Sequence, residues 1–276
     1  MRGWVLRSWT FVAVLAVGAA IGAPLAGVAA GPEPRAENRA PAERLEVAEA
    51  GSPARTVSPV VPIEGSNNGR DRERRPKPEP HLFVRVPRDL ALTSRPGGGR
   101  IVGTVPDGSR FYDVPTMAWV QQVSEDGRFG RLAVPYGNGD GWMRLDGLRR
   151  GTTWVEAHVD LSDRRLTLEK RDKVVFRTRS AIGASVSPTP PGRYFVTDRI
   201  PFDPGSSLGR FAFGISGIQP NLPPGWSGGD QLAIHGTNVP SSIGQAASAG
   251  CMRVSASALE RLKPFLRLGT PVIVSR

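Results

Sequence analysis

From His81 onward the apolar residues come in short runs, each stopped by glycine, proline, asparagine or aspartate. This punctuation confines the chain to a mostly β fold. LFVRV (82–86), IVGTV (101–105), AWV (118–120), RLAV (131–134) and GWMRL (141–145) have strand character, and no helical periodicity runs through them. PGGG (96–99), PDG (106–108), DG (126–127) and NGDG (138–141) supply turns between them. No Gly-Lys-Ser/Thr follows the triple glycine, so it is a turn rather than a phosphate loop. A second group of alternating segments, 154–161, 165–170 and 174–182, is joined by the turns SDR and RDK. His158 falls in the first of these as an ordinary sheet residue. Residues 200–230, rich in glycine and proline, read as a long connection that faces substrate. Near the C-terminus Ser257 and Glu260 fit a capping box opening a short helix over 258–263, which Pro264 ends, and 271–275 reads as a last strand.

The first eighty residues differ in kind. Arg2 and Arg7 precede an apolar run over 9–30 that ends in Val28-Ala29-Ala30, the pattern of an export signal cleaved after Ala30. The run is also about long enough to cross a bilayer, which leaves an uncleaved anchor as the alternative. No cysteine near the cleavage position offers a lipid attachment point. Residues 31–80 mix Pro, Ala, Glu, Arg, Gly and Ser with few large apolar side chains, and read as a disordered spacer. The organisation expected is therefore a leader at 1–30, a linker at 31–80, a first domain at 81–150 and a second at 151–276. Export implies an extracytoplasmic protein, secreted or associated with the cell wall. The net charge is +11; the leader carries two of these charges and residues 31–80 are balanced, so the surplus lies on the two domains. A basic surface suits an anionic cell-wall polymer, and in an exported chain it gives little reason to expect nucleic acid. Contact with a membrane is expected only if the leader is retained.

Chemistry concentrates at 234–254, IHGTNVPSSIGQAASAGCMRV, which holds the single cysteine, Cys251, and one of three histidines, His235. A free thiol is only about 3% ionised at neutral pH, so a nucleophilic cysteine needs a base or a positive local field. His235 is the candidate base. No histidine follows Cys251, which excludes the papain-like order. Gly236 and Gly250 permit close backbone approach, and consecutive N–H groups around Ala249, Gly250 and Cys251 are candidates for an oxyanion hole. The alternative for isolated copies of these residue types is a buried cysteine and a satisfied core histidine. An unpaired cysteine in an oxidising compartment favours use over accident. Three histidines and one cysteine give none of the zinc-site spacings, so no metal is expected, and no cofactor fingerprint is present.

The same stretch resembles the signature of L,D-transpeptidase (YkuD-type) catalytic domains through His235, Gly236, Thr237, Asn238, Pro240, Ser242, Ile243, Gly244, Ser248, Gly250, Cys251 and Arg253. The Ser187-Pro188-Thr189-Pro190-Pro191-Gly192 turn is similar to that family as well, so the resemblance covers 152–276. It implies Cys251 as nucleophile, His235 as general base oriented by a carbonyl near Gly236, and an oxyanion hole from the Gly250 and Cys251 N–H groups. Ser248 and Arg253 are the candidate substrate contacts; Arg253 either fixes a substrate carboxylate or braces the cysteine loop. Two positions depart from the pattern. Ala249 stands where many members have a second histidine, and Val254-Ser255-Ala256 lacks a frequent asparagine.

Residues 82–149 resemble a bacterial SH3-like barrel through GTVPDG (103–108) and GWMR (141–144). That resemblance implies wall binding through Tyr112, Trp119 and Tyr136; the alternative is a rigid spacer with these aromatics in its core. Taken together, the expected fold is mostly β, an SH3-like small barrel followed by an L,D-transpeptidase-type β-rich domain with one short helix near the C-terminus. The implied activity is attack of Cys251 on a peptidoglycan tetrapeptide stem, release of the terminal D-Ala and 3→3 cross-linking, with stem peptides as donor and acceptor. Hydrolysis of the same acyl-enzyme, or wall binding through a degenerate site, remain the other readings.

Overall fold

Along the strand Val155–Asp160 the side chains of Val155, Ala157 and Val159 are buried, while Glu156, His158 and Asp160 keep partial exposure. This period of two marks a strand with one face on a core, and it recurs through much of the chain. The computed structural model describes residues 78–112 and 114–276. The leader expected at 1–30 and all but the last three residues of the spacer expected at 31–80 lie outside the described residues.

Eight strands come first: β1 (His81–Arg85), β2 (Leu90–Arg95), β3 (Gly98–Val105), β4 (Met117–Val120), β5 (Gln122–Val123), β6 (Phe129–Ala133), β7 (Asp140–Arg144) and β8 (Arg150–Thr153). They pair into a three-stranded sheet, β4-β1-β8, and a five-stranded sheet, β3-β2-β7-β6-β5. The next ten are β9 (Val155–Asp160), β10 (Arg165–Lys170), β11 (Lys173–Arg179), β12 (Ile182–Gly183), β13 (Gly192–Pro201), β14 (Phe211–Ile218), β15 (Gln231–His235), β16 (Ala246–Ser248), β17 (Met252–Arg253) and β18 (Pro271–Ser275), with the helix α1 (Ala256–Leu262) before the last. Eight of these form one sheet in the order β11-β10-β9-β18-β13-β14-β15-β17, and β12 pairs with β16. The described fold is mostly β with one short helix. No helix among the described residues is long and apolar enough to cross a membrane.

Three sequence expectations need correction. Residues 200–230 are not one long connection, because β14 runs through their middle, buried along almost its whole length. Buried on both faces and interrupted by Gly214 and Gly217, β14 shows no alternation that the sequence could display. A Cβ on Gly214 would lie 2.6 Å from Asp198 Oδ2, so this strand needs glycine where its neighbours crowd it. Second, α1 starts two residues early: Ser255, not Ser257, caps it, accepting a hydrogen bond from the Ala258 N–H at 3.2 Å. Third, the strand expected over 174–182 breaks after Arg179 and resumes as β12.

Two apolar clusters meet at β13. Val196 joins Phe213, Ile215, Ile234 and Met252, together with Leu259 and Leu262 of α1, on one face of the large sheet. Phe195, pointing the other way, is buried with Val84, Trp119, Leu132 and Met143 of the N-terminal strands. Burying a phenylalanine contributes about 1.5–3 kcal/mol, so Phe195 helps fix the first eight strands to the sheet that follows. The Tyr136 N–H adds a hydrogen bond to the Ser216 carbonyl at 2.7 Å.

Candidate active site

His235 ends β15 and Cys251 immediately precedes β17, and these two strands pair in parallel with Ile234 opposite Met252 and His235 opposite Arg253. That register places the cysteine beside the strand that carries the histidine. Both line one cavity of about 280 Å³, together with Gln231, Gly214 and Arg253. Phe111 and Tyr112 from the N-terminal strands' connection, with Leu222 and Trp226 from the loop after β14, form its exposed rim. An ion pair of 2.5 Å between Arg110 and Asp230 holds those two rims together.

His235 is 2% exposed. Its Nδ1 lies 2.5 Å from the Gly236 carbonyl. A carbonyl oxygen only accepts, so in the neutral ring Nδ1 carries the proton and Nε2 keeps its lone pair. Burial pushes the imidazole pKa down to about 4; the Gly236 bond works against this, the Arg253 charge adds to it, and the Leu208 carbonyl opposes it. Gly236 fits here because the loop before β14 comes close: a Cβ would sit 3.0 Å from Gly209 Cα.

The Cys251 sulfur lies 3.9 Å from the Gln231 carbonyl. The residue keeps part of its surface open to the cavity, yet its thiol is deep enough that burial pushes the pKa up, against the lowering effects of the Ala233 backbone and the Arg253 charge. At neutral pH the pair is therefore a neutral thiol beside a neutral imidazole.

The turn before the cysteine is held by buried polar groups. Gly250 has φ +116°, a backbone shape that disfavours any side chain, and a Cβ there would run into the Gln219 amide. Thr189 Oγ1 donates to the Gly250 carbonyl at 2.7 Å and accepts from the Gly183 N–H at 2.8 Å. Gln219 in turn donates to the Pro188 carbonyl at 2.9 Å and accepts from the Asn221 N–H at 2.9 Å. Each buried group in this chain of bonds has a partner, which fixes the turn. The sequence pointed to Thr189 through its Pro-rich turn. Gln219 carried no local signal, because the Pro188 carbonyl that it ties to the turn lies far from it along the chain.

Several expected roles change once the side chains are placed. Ser248 is 5% exposed; its hydroxyl donates to the Cys251 carbonyl at 2.6 Å and accepts from the Gly250 N–H at 3.1 Å. These two bonds hold the turn, and Ser248 also lines the cavity. The same bond commits the Gly250 N–H, one of the two expected oxyanion donors. The Cys251 N–H donates to no group among the described residues. Arg253 reaches the Ala247 carbonyl at 3.4 Å through Nη1, while its buried Nε has no partner among the described residues. Ala249 lines the cavity. Of the three aromatics considered for ligand binding, Trp119 is core at 2% exposure, and the buried Tyr136 hydroxyl has no partner among the described residues. Tyr112 alone among them is exposed.

Part of the chain is similar to L,D-transpeptidases. The chain is 32% identical over 117 residues to the putative L,D-transpeptidase YkuD of Bacillus licheniformis, covering 42% of this chain and 63% of that one. With the Bacillus subtilis protein of the same name it shares 29% over 118 residues, 43% of this chain and 64% of the relative. It thus spans less than two thirds of either relative. An L,D-transpeptidase structure from Mycobacterium tuberculosis superposes with a TM-score of 0.39 at 19% identity, covering 57% of this chain and 80% of that one. Residues 155–274 match the family model of the L,D-transpeptidase catalytic domain, YkuD.

Proposed function

We propose that Cys251 and His235 carry out an L,D-transpeptidase reaction on peptidoglycan stem peptides. The observation that carries this reading is their placement at the ends of two adjacent parallel strands, His235 closing β15 and Cys251 preceding β17, lining one cavity, with the imidazole proton assigned to Nδ1. In the proposed reaction the thiol attacks the carbonyl of the third, L-configured residue of a tetrapeptide stem, and His235 Nε2 takes the thiol proton. The Cys251 N–H is the donor available to the resulting oxyanion. Collapse expels the terminal D-Ala, which leaves with the proton from His235, and a thioester remains on Cys251. An amine on a second stem then attacks the thioester to give a 3→3 cross-link and restores the thiol. Arg253, whose side chain lines the cavity, carries the charge that suits a substrate carboxylate.

In this proposal residues 81–150 form an SH3-like module, in keeping with their two small antiparallel sheets, and 151–276 form the catalytic domain. The protein acts outside the cytoplasm, carried there by residues 1–30. The test is product analysis by mass spectrometry after incubation with a disaccharide-tetrapeptide. Loss of D-Ala with a cross-linked dimer supports the transpeptidase, and loss with tripeptide alone assigns water as the acceptor. Unchanged substrate with no carbapenem adduct on Cys251 would overturn the proposal in favour of a wall-binding protein with a degenerate site.

A further inference from the structure

Two of the chain's three histidines take no part in the site above, and folding brings both to one carboxylate. Glu156 and His158 are alternate residues of β9 and so share the face turned away from the catalytic sheet's main core. Across the β9–β10 ladder Glu169 stands directly opposite Glu156. His81 reaches the same point from β1 in the other sheet. His158 Nε2 lies 3.2 Å from Glu156 Oε1, and His81 Nε2 lies 3.4 Å from Glu156 Oε2. The ligand atoms of Glu156, His158 and Glu169 are all within 4.8 Å of one another. His158 Nε2 is buried, with the Glu156 carboxylate as its neighbour.

We infer that His81, Glu156, His158 and Glu169 form a binding site for one divalent transition-metal ion, with Zn2+ the ion that fits this donor set. Two imidazoles and two carboxylates are ordinary zinc ligands, and tetrahedral bonds of about 2.0–2.1 Å set neighbouring donor atoms about 3.3–3.5 Å apart. Each histidine lies close to that spacing from one oxygen of Glu156, His158 from Oε1 and His81 from Oε2. Gathering Glu169 beside Glu156 and His158 closes a gap of up to about 1.5 Å, which side-chain rotation covers. An ion would take the lone pair of the buried His158 nitrogen in place of its contact with Glu156. Two carboxylates balance the ion's charge, and the nearest cation named by its effect on these groups, Arg193, is stacked 4.8 Å from the Trp119 ring. The site fastens β1 to β9 and so ties the N-terminal strands to the sheet that carries His235 and Cys251. Zinc spacings were absent from the sequence because the four residues come from three separate strands.

The test is calorimetric titration of ZnCl2 into the full chain after chelator treatment, in a Cys251→Ala background that removes the competing thiol. The inference expects one equivalent of zinc, weakened at least tenfold by His158→Ala and by the milder Glu169→Gln. It also expects a zinc-dependent rise in Tm in the background protein that either substitution removes. Absence of stoichiometric binding in the Cys251→Ala protein would overturn it, leaving a hydrogen-bonded clasp. Unchanged zinc affinity in Glu169→Gln and in His81→Gln, both chosen to keep the fold, would overturn it equally.

Discussion

His235 and His158 stand on the same eight-stranded sheet, yet their surroundings drive them in opposite directions. His235 is buried, faces two backbone carbonyls and a nearby arginine charge, and titrates at about 4. His158 is half-exposed and bonded to Glu156, which raises its pKa despite partial burial. What separates them is the partner: a carbonyl orients an imidazole without fixing a positive charge on it, whereas a carboxylate stabilises the charged form. A base that must accept a proton in mid-reaction needs the first arrangement. An ion-pair clasp is served by the second.

The largest expected effect lies on the catalytic side of this comparison. Cys251→Ala abolishes turnover, and His235→Gln lowers kcat by about 10²–10⁴-fold, the usual contribution of a positioned general base. Product formation by either variant at the wild-type rate would remove the distinction between the two histidines.

Next comes the turn that aims the sulfur. Gly250→Ala forces a side chain into a backbone shape it disfavours and against Gln219, and is expected to cost about 1–3 kcal/mol in denaturant unfolding together with most of kcat. Thr189→Val deletes the hydroxyl that bonds Gly250 and strands the buried Gly183 N–H, an expected loss of about 1–3 kcal/mol. The Thr189→Val defect should fall on kcat more than on KM, because the cavity wall is unchanged while the nucleophile's turn loosens.

Stability against pH sharpens the comparison further. The unfolded imidazole titrates near 6.5 and native His235 at about 4, so between these values the unfolded chain binds more protons. Stability contributed by His235 is complete above pH 6.5 and declines as pH falls toward 4, by on the order of 3 kcal/mol. Urea unfolding of His235→Gln over that window should show a correspondingly shallower loss than wild type. Glu156→Gln is the smallest change. It lowers the His158 pKa, read by NMR titration, and shifts stability by under about 1 kcal/mol because the pair is partly exposed.

The elements that the sequence announced are those with a local signature. β10 coincides with its expected range because an alternating run sits between two turn triplets. Cys251 and His235 stood out because the chain has one cysteine and the surrounding motif is ungapped. Gln219, the buried partner of the Pro188 carbonyl, was invisible because its bonds join segments distant in sequence. The two bonds of Ser248 inside the turn were hidden for a related reason: the partners of a serine hydroxyl depend on how the turn folds. The grouping of His81 with His158 depends on how two sheets pack, which residue order along one strand does not encode.

The most direct measurement is peptide mapping of the acyl-enzyme formed when the wild-type protein is mixed with a disaccharide-tetrapeptide and quenched in acid. The account predicts a thioester adduct on the peptide containing Cys251, one D-Ala released per adduct, and neither in Cys251→Ala. Release of D-Ala by Cys251→Ala, or an adduct on any other residue, would contradict it.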